Sequence, residues 1–204
     1  MDFVELSIES LREESRRLAA LVEINWKPDA VAYLAKGGYL IGLEVANYFG
    51  VDLLEISAHR SGDSAKKHTS NVLAKLPFFI RHGLREFEIR QRLKADSGKT
   101  QNKTMCITDR YLLKKTPKNI LIVDDSADTG NSLKSARELL LCKYPESNIK
   151  IAVFNCFDAA KKNVQIDWYL LRNCLVGTPA SKDNSEYQYL LIFIPILQVI
   201  DSRD

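Results

Sequence analysis

The 204-residue chain has no apolar segment long enough to cross a bilayer. Its longest apolar run, Leu190 to Leu197, contains Pro195 and falls far short of the roughly 20 residues that a spanning helix needs. The N-terminal stretch mixes acidic and basic residues throughout and holds no apolar core of the signal-peptide kind. Cysteine is sparse. Cys106, Cys142, Cys156 and Cys174 stand far apart, with neither metal-ligand spacing nor the density of a small secreted disulfide framework. No membrane role is expected, and a reducing cytoplasm is the expected compartment. Internal repeats and low-complexity tracts are missing too. So is a strong charge of one sign: a net charge of +3 suits an anionic small molecule and offers no argument for a nucleic-acid groove.

What is present is the composition of an ordinary globular protein, 46% hydrophobic and 27% charged, with room for one α/β domain and a small appended lobe. Leu6 to Ile24 is amphipathic at helical spacing, with Leu11, Leu18, Leu21 and Val22 on one side. Pro28-Asp29 breaks the chain. Ala30 to Ala35 is a short apolar run of the buried-strand type, Lys36-Gly37-Gly38 a turn, and Tyr39 to Phe49 a helix closed by Gly50. Val51 to Ser57 is the next strand, which completes a compact βαβ unit. Further on, Asn119 to Val123, Lys150 to Asn155 and Ile166 to Leu171 have strand character, with a helix from Leu133 to Cys142 between the first two. Alternating strands and helices predict a parallel sheet covered on both faces. Between them, about 59–116 reads as an insertion, polar and glycine-punctuated at its flanks and helically spaced from Asn71 to Lys94. Beyond Gly177 the pattern is weak, and IFIPIL reads equally as a strand or a packed segment.

The most specific stretch is NILIVDDSADTGNSLKSARELL. An apolar strand delivers Asp124 and Asp125 at its carboxyl end, and ligands bind at that end in open α/β sheets. A short loop with one glycine then leads into a helix, whose free N–H groups and dipole favour an anion. Thr129 and Ser132 add hydroxyls. Two adjacent carboxylates beside a phosphate cradle suit ribose hydroxyls and Mg²⁺. Together these residues describe a site for a phosphorylated sugar. Paired aspartates at a strand end also occur in receiver domains and phosphatase-like folds, but there no Asp-Thr-Gly-x-Ser cradle follows at this distance.

The segment VDDSADTGNS resembles the motif with which type I phosphoribosyltransferases bind 5-phosphoribosyl-1-pyrophosphate (PRPP), and Ala35-Lys36-Gly37-Gly38 is similar to that family's pyrophosphate loop. The resemblance covers the order of elements from Ala30 to about Leu171. It implies the family's Rossmann-like parallel sheet flanked by helices, with a small hood built from the N-terminal helix and about 156–204, all within one domain. It implies that Asp124 and Asp125 hold the ribose hydroxyls and, through water, Mg²⁺. It further implies that Asp128, Thr129, Gly130, Asn131 and Ser132 wrap the 5′-phosphate, that Asp128 assists proton transfer at the base, and that Lys36 and Gly37 meet the pyrophosphate. Arg60, Lys66, Lys67 and His68 lie where the family carries its closing loop.

On the base side the chain departs from the family's pattern. Oxopurine enzymes place a lysine just after the strand corresponding to KIAVFN, where this chain has Asn155-Cys156-Phe157-Asp158. They stack an aromatic side chain where this chain has Cys174. Phe157 and Trp168 are the candidate base contacts. The resemblance implies a Mg²⁺-dependent transferase that makes a nucleoside 5′-monophosphate and pyrophosphate from PRPP and a nitrogenous base. The alternatives are a non-catalytic PRPP- or nucleotide-sensing regulator on the same fold, and a small Rossmann-like module for another phosphorylated ligand. Expected partners are PRPP and a nucleobase or nucleotide, with a homodimer allowed for.

Overall fold

A computed structural model of the chain describes residues 2–35, 37–59, 87, 91, 104–108 and 115–179. Lys36, the four candidate loop cations and the helically spaced stretch from Asn71 to Lys94, apart from Phe87 and Gln91, lie outside the described residues.

Among the described residues twelve elements can be followed, eleven of them helices or strands. Strand β1 (Phe3–Glu5) leads into helix α1 (Ile8–Glu23), whose N-cap Ser7 accepts from the Ser10 backbone N–H at 3.1 Å. The βαβ unit follows as β2 (Ala30–Leu34), α2 (Tyr39–Phe49) and β3 (Asp52–His59). Helix α2 ends as its sequence dictates: Gly50 adopts the left-handed conformation at φ 65° and its N–H caps Ala46 and Asn47. Next come β4 (Thr104–Ile107), β5 (Asn119–Ala127), α3 (Asn131–Lys143), β6 (Asn148–Cys156), a 3₁₀ turn (Ala160–Lys162), β7 (Trp168–Arg172) and β8 (Leu175–Gly177). No helix among the described residues is long and apolar enough to cross a membrane.

Six strands form the main sheet in the order β4-β3-β2-β5-β6-β7. All neighbours are parallel except β3 and β4, so the expected parallel sheet carries one antiparallel edge strand. Alternation along the strands divides the core between two faces. Val31, Tyr33, Leu121, Val123, Ala152 and Phe154 point to the face covered by α1 and α2. Ala32, Leu34, Ile120, Ile122, Ile151 and Val153 point to the face covered by α3. The chain runs outward from β2 to β3 on one side and from β5 to β6 on the other. Right-handed crossovers in opposite directions put α2 and α3 on opposite faces. The strand order therefore reverses between β2 and β5, and the crevice at their carboxyl ends is the place such sheets offer to ligands.

Asp29 fixes the opposite end of this pair. Its Oδ2 accepts from the backbone N–H of both Lys118 and Asn119 at 2.9 Å, which ties the start of β2 to the start of β5. A second, two-stranded sheet pairs β1 with β8, with Phe3 opposite Leu175. The chain's N-terminal strand thereby lies beside the segment that follows β7.

Candidate active site

Strand β5 does not stop at Val123. It continues through Asp124, Asp125, Ser126 and Ala127, paired with β6 as far as Ala127 opposite Cys156. The acidic pair is therefore held in regular extended backbone rather than in a loop, and α3 begins at Asn131, two residues earlier than its apolar spacing indicates. Extended backbone sends neighbouring side chains in different directions. Asp124 turns its Oδ1 back to accept from the Asp125 backbone N–H at 3.0 Å. The Asp125 carboxylate instead accepts from the hydroxyl of Thr178, a buried residue just after β8, at 3.3 Å.

Burial raises the Asp124 pKa well above its ordinary value, and the nearby charges of Asp125 and Asp128 add to the rise. Three carboxylates near one another form a site suited to a positive or hydroxyl-rich ligand.

The turn after β2 meets this pair. A Cβ on Gly37 would lie 3.1 Å from Asp125 Oδ2, and one on Gly38 would lie 3.0–3.2 Å from the backbone of Leu34 and Val123. Both glycines thus sit where a side chain would fit tightly, and the sheet brings Gly37 to Asp125 across the switch point.

Gly130 is the N-cap of α3, with φ 77° and no side chain to occupy the first turn. A Cβ there would lie 2.7 Å from Val164 Cγ1 and 2.9 Å from the Ala160 carbonyl oxygen. The cradle is braced from behind by the segment that carries the 3₁₀ turn: Asn163 Nδ2 donates to the Thr129 carbonyl at 2.9 Å, and the Phe157 N–H donates to the Ala127 carbonyl at 3.0 Å.

The structure brings together Gly37, Asp124, Asp125, Asp128, Thr129, Gly130, Asn131 and Ser132, on β5, its following loop, the first turn of α3 and the abutting turn after β2. It does not bring Trp168 to them. That ring lies at the amino end of β7, 5.8 Å from the Trp26 ring, with Lys150 Nζ 5.0 Å from its centroid. Phe157 is only 2% exposed and packs with Leu175 and Phe3 in a small apolar cluster beneath β1 and β8. Lys161 is held by Tyr169, its Nζ 3.0 Å from the hydroxyl and 4.3 Å from the ring centroid. Three participants went unnoticed in the sequence. Ser126, Asn155 and Thr178 all contact the acidic residues directly or in series, yet only Ser126 lies within the motif, and none stands out by residue type.

A sheet covered on both faces, with an acidic pair and a helix N-terminus at its switch point, is the architecture of proteins that bind nucleotides and phosphorylated sugars. The family model for the phosphoribosyl transferase domain matches residues 7–180, and the chain belongs to that family as a phosphoribosyltransferase. Among solved structures it is similar to the purine phosphoribosyltransferase of Pyrococcus horikoshii Ot3, at 21% identity over 88% of this chain and 93% of that one, with a TM-score of 0.57. It is also similar to the xanthine-guanine-hypoxanthine phosphoribosyltransferase of Helicobacter pylori, at 16% identity over 93% and 99% of the two chains, again with a TM-score of 0.57. The adenine phosphoribosyltransferase of Thermoanaerobacter pseudethanolicus matches at 17% identity over 80% and 81%, with a TM-score of 0.51. At such identities these likenesses establish the fold. No curated protein matches the chain in sequence.

Proposed function

We propose that this chain transfers the 5-phosphoribosyl group from PRPP to a nitrogenous base in the presence of Mg²⁺, releasing pyrophosphate and a nucleoside 5′-monophosphate. The observation that carries the reading is the packing of Gly37 against the Asp125 carboxylate. It sets the turn that resembles the family's pyrophosphate loop beside the acidic pair, with the N-terminus of α3 a few residues further along the chain.

In this reading Asp124 and Asp125 accept from the ribose 2′- and 3′-hydroxyls, charge-assisted bonds that contribute roughly 1.5–3 kcal/mol each. Thr129, Gly130, Asn131 and Ser132 surround the 5′-phosphate at the N-terminus of α3. Gly37 lets the backbone approach the pyrophosphate, with Lys36 beside it in sequence. As the bond from the anomeric carbon to the pyrophosphate oxygen breaks, the leaving group keeps the electron pair. The base nitrogen bonds to that carbon, and its proton passes to the Asp128 carboxylate.

The acidic pair fits a hard divalent cation. Mg²⁺ commonly keeps several waters and binds through one or two carboxylates together with substrate phosphates. Burial raises the Asp124 pKa most, and the neighbouring Asp125 and Asp128 charges add to it; a bound cation would relieve that added repulsion. When bound, Mg²⁺ would neutralise charge on the departing pyrophosphate.

Phe157 contributes to the base side as the apolar floor on which β8 and β1 rest, rather than as an exposed stacking surface. Trp168, packed against Trp26, has no part in the base site in this reading. The base is then held by backbone groups and apolar contact. The test is to incubate the protein with PRPP, Mg²⁺ and a panel of purines and pyrimidines while following pyrophosphate release and thermal melting. Release with at least one base is expected. A PRPP-dependent rise in melting temperature with no release would favour the sensing alternative, and neither response would sink PRPP binding altogether.

A further inference from the structure

Asn155 is fully buried on β6, opposite Ser126 of β5, and both ends of its carboxamide are used. Its Oδ1 accepts from the Cys174 backbone N–H at 3.0 Å and its Nδ2 donates to Ser126 Oγ at 3.2 Å. Ser126 Oγ in turn donates to Asp128 Oδ1 at 3.0 Å. The direction of this chain does not depend on how the amide is assigned. A backbone N–H can only donate, so the atom facing Cys174 must be the oxygen and the atom facing Ser126 must be the nitrogen. The serine oxygen then accepts, and its single proton is left for Asp128. The Asp128 oxygen at the end of the series therefore accepts.

We infer that Asn155 is a positioning residue for Asp128, acting through Ser126, and that it fastens the proton-accepting carboxylate to the turn between β7 and β8. This rests on the role proposed above for Asp128. The turn is itself firmly built. Asn173 adopts a left-handed conformation at φ 55°, its N–H donates to the Cys156 carbonyl at 3.1 Å, and its side chain both accepts from the Asp158 N–H at 3.0 Å and donates to the Asp158 carboxylate at 2.9 Å. Arg172 Nε closes the same carboxylate at 2.8 Å. Asp128 is therefore referenced, by three hydrogen bonds in series, to a fixed point on the base side of the site.

The test compares steady-state kinetics of five variants with the unmodified protein, using PRPP, Mg²⁺ and the base that gives the fastest pyrophosphate release. Ser126→Ala and Asn155→Leu should each lower kcat roughly tenfold or more, as loss of residues that orient a reacting group commonly does, with KM for PRPP changed less than about twofold. Ser126→Thr, which keeps the hydroxyl, should restore kcat. The double variant should be no slower than Ser126→Ala alone, because Asn155 acts through that hydroxyl. Asn155→Leu leaves a buried N–H unsatisfied and risks unfolding; Ser126→Ala, with its rescue by threonine, keeps the test decisive. Asp128→Asn separates the two levels of the argument. If it leaves kcat intact, the proton role of Asp128 is wrong and this inference goes with it. If Asp128→Asn is slow while Ser126→Ala is as fast as the unmodified protein, only the inference about Asn155 is overturned.

Discussion

Gly37 and Asp125 are in contact: the place where a Cβ would stand on Gly37 lies 3.1 Å from Asp125 Oδ2 and 3.4 Å from Oδ1. The two residues belong to different strand–helix units and meet because β2 and β5 are neighbours at the point where strand order reverses. The same Asp125 Oδ2 also accepts from the Thr178 hydroxyl at 3.3 Å. An added methyl at Gly37 would therefore press on a carboxylate oxygen that is already hydrogen-bonded.

Gly37→Ala should displace that carboxylate by a few tenths of an ångström without disturbing the core. PRPP affinity in the presence of Mg²⁺ should fall roughly threefold to tenfold, because a charge-assisted bond to a ribose hydroxyl weakens with misalignment. Thermal stability should change by less than about 1 kcal/mol. Calorimetric titration with PRPP measures the first and a melting curve the second. Unchanged affinity would show that the Gly37 turn does not bear on the ribose acid.

Gly130→Ala tests the cradle in a different way, through stability. A left-handed φ costs an alanine about 1–2 kcal/mol, and the new methyl would press on Val164 and on the backbone of Ala160. A loss of at least about 2 kcal/mol is expected, which for a chain of this size lowers the melting temperature by roughly 4–8 °C. A melting temperature within 1 °C of the unmodified protein, taken here as roughly the resolution of such a comparison, would mean that the 3₁₀ turn does not brace the loop.

The raised pKa of Asp124 makes a signed prediction. An acid whose folded pKa is raised leaves full stability in place below its ordinary value of 3.8, and that stability is lost as pH climbs through the folded pKa. At neutral pH the protein therefore carries the cost of a crowded, partly desolvated carboxylate beside Asp125. Asp124→Asn removes the charge and keeps an oxygen for the Asp125 N–H. The variant should melt higher than the unmodified protein at pH 7, by roughly 2–4 °C per kcal/mol gained, and the difference should shrink toward zero as pH falls to about 4. The same variant should bind PRPP more weakly. A variant that melts lower at pH 7 would contradict the electrostatic account of the site.

Much of this was legible from residue pattern. Helix α2 runs from Tyr39 to Phe49 as its spacing indicates, because Gly38 precedes it and Gly50 caps it. Strands β2, β5 and β6 are continuous apolar runs because both faces of the sheet are covered. Strand ends were harder. Asp124 to Ala127 break the apolar run of β5, but backbone pairing with β6 decides where a strand stops, and the acids are tolerated because they border the site. Strands β1 and β8, three residues each, are too short to show alternation, and their pairing joins segments at opposite ends of the chain. Asn155 looks like any residue of a buried strand until its two partners are known. Thr178 lies just past the point where the pattern fades.

The base side yields the last prediction. A site built to hydrogen-bond an exocyclic oxygen gains from that group, and a site without the partner gains nothing. Where oxopurine enzymes of the family place a lysine, Phe157 lies 2% exposed against Leu175 and Phe3. Lys161, the nearest described cation in sequence, is engaged with the Tyr169 hydroxyl and ring, and that bond raises its pKa. Cys174, in the place of the aromatic stacker, has its backbone N–H on Asn155 and its thiol on the Arg172 carbonyl. Hypoxanthine, guanine and xanthine should therefore be poor substrates while PRPP binds normally, and any base used should be adenine-like or another heterocycle recognised by backbone and apolar contact. Phe157→Lys should not convert the enzyme cleanly, since it buries an ammonium in the cluster that seats β1 and β8. A loss of several degrees in melting temperature is expected alongside any change in base preference. Efficient turnover of guanine by the unmodified protein would overturn this account. Lys161→Met would then identify the cause, because a lysine that had left Tyr169 for the substrate would take guanine turnover with it and leave PRPP affinity unchanged.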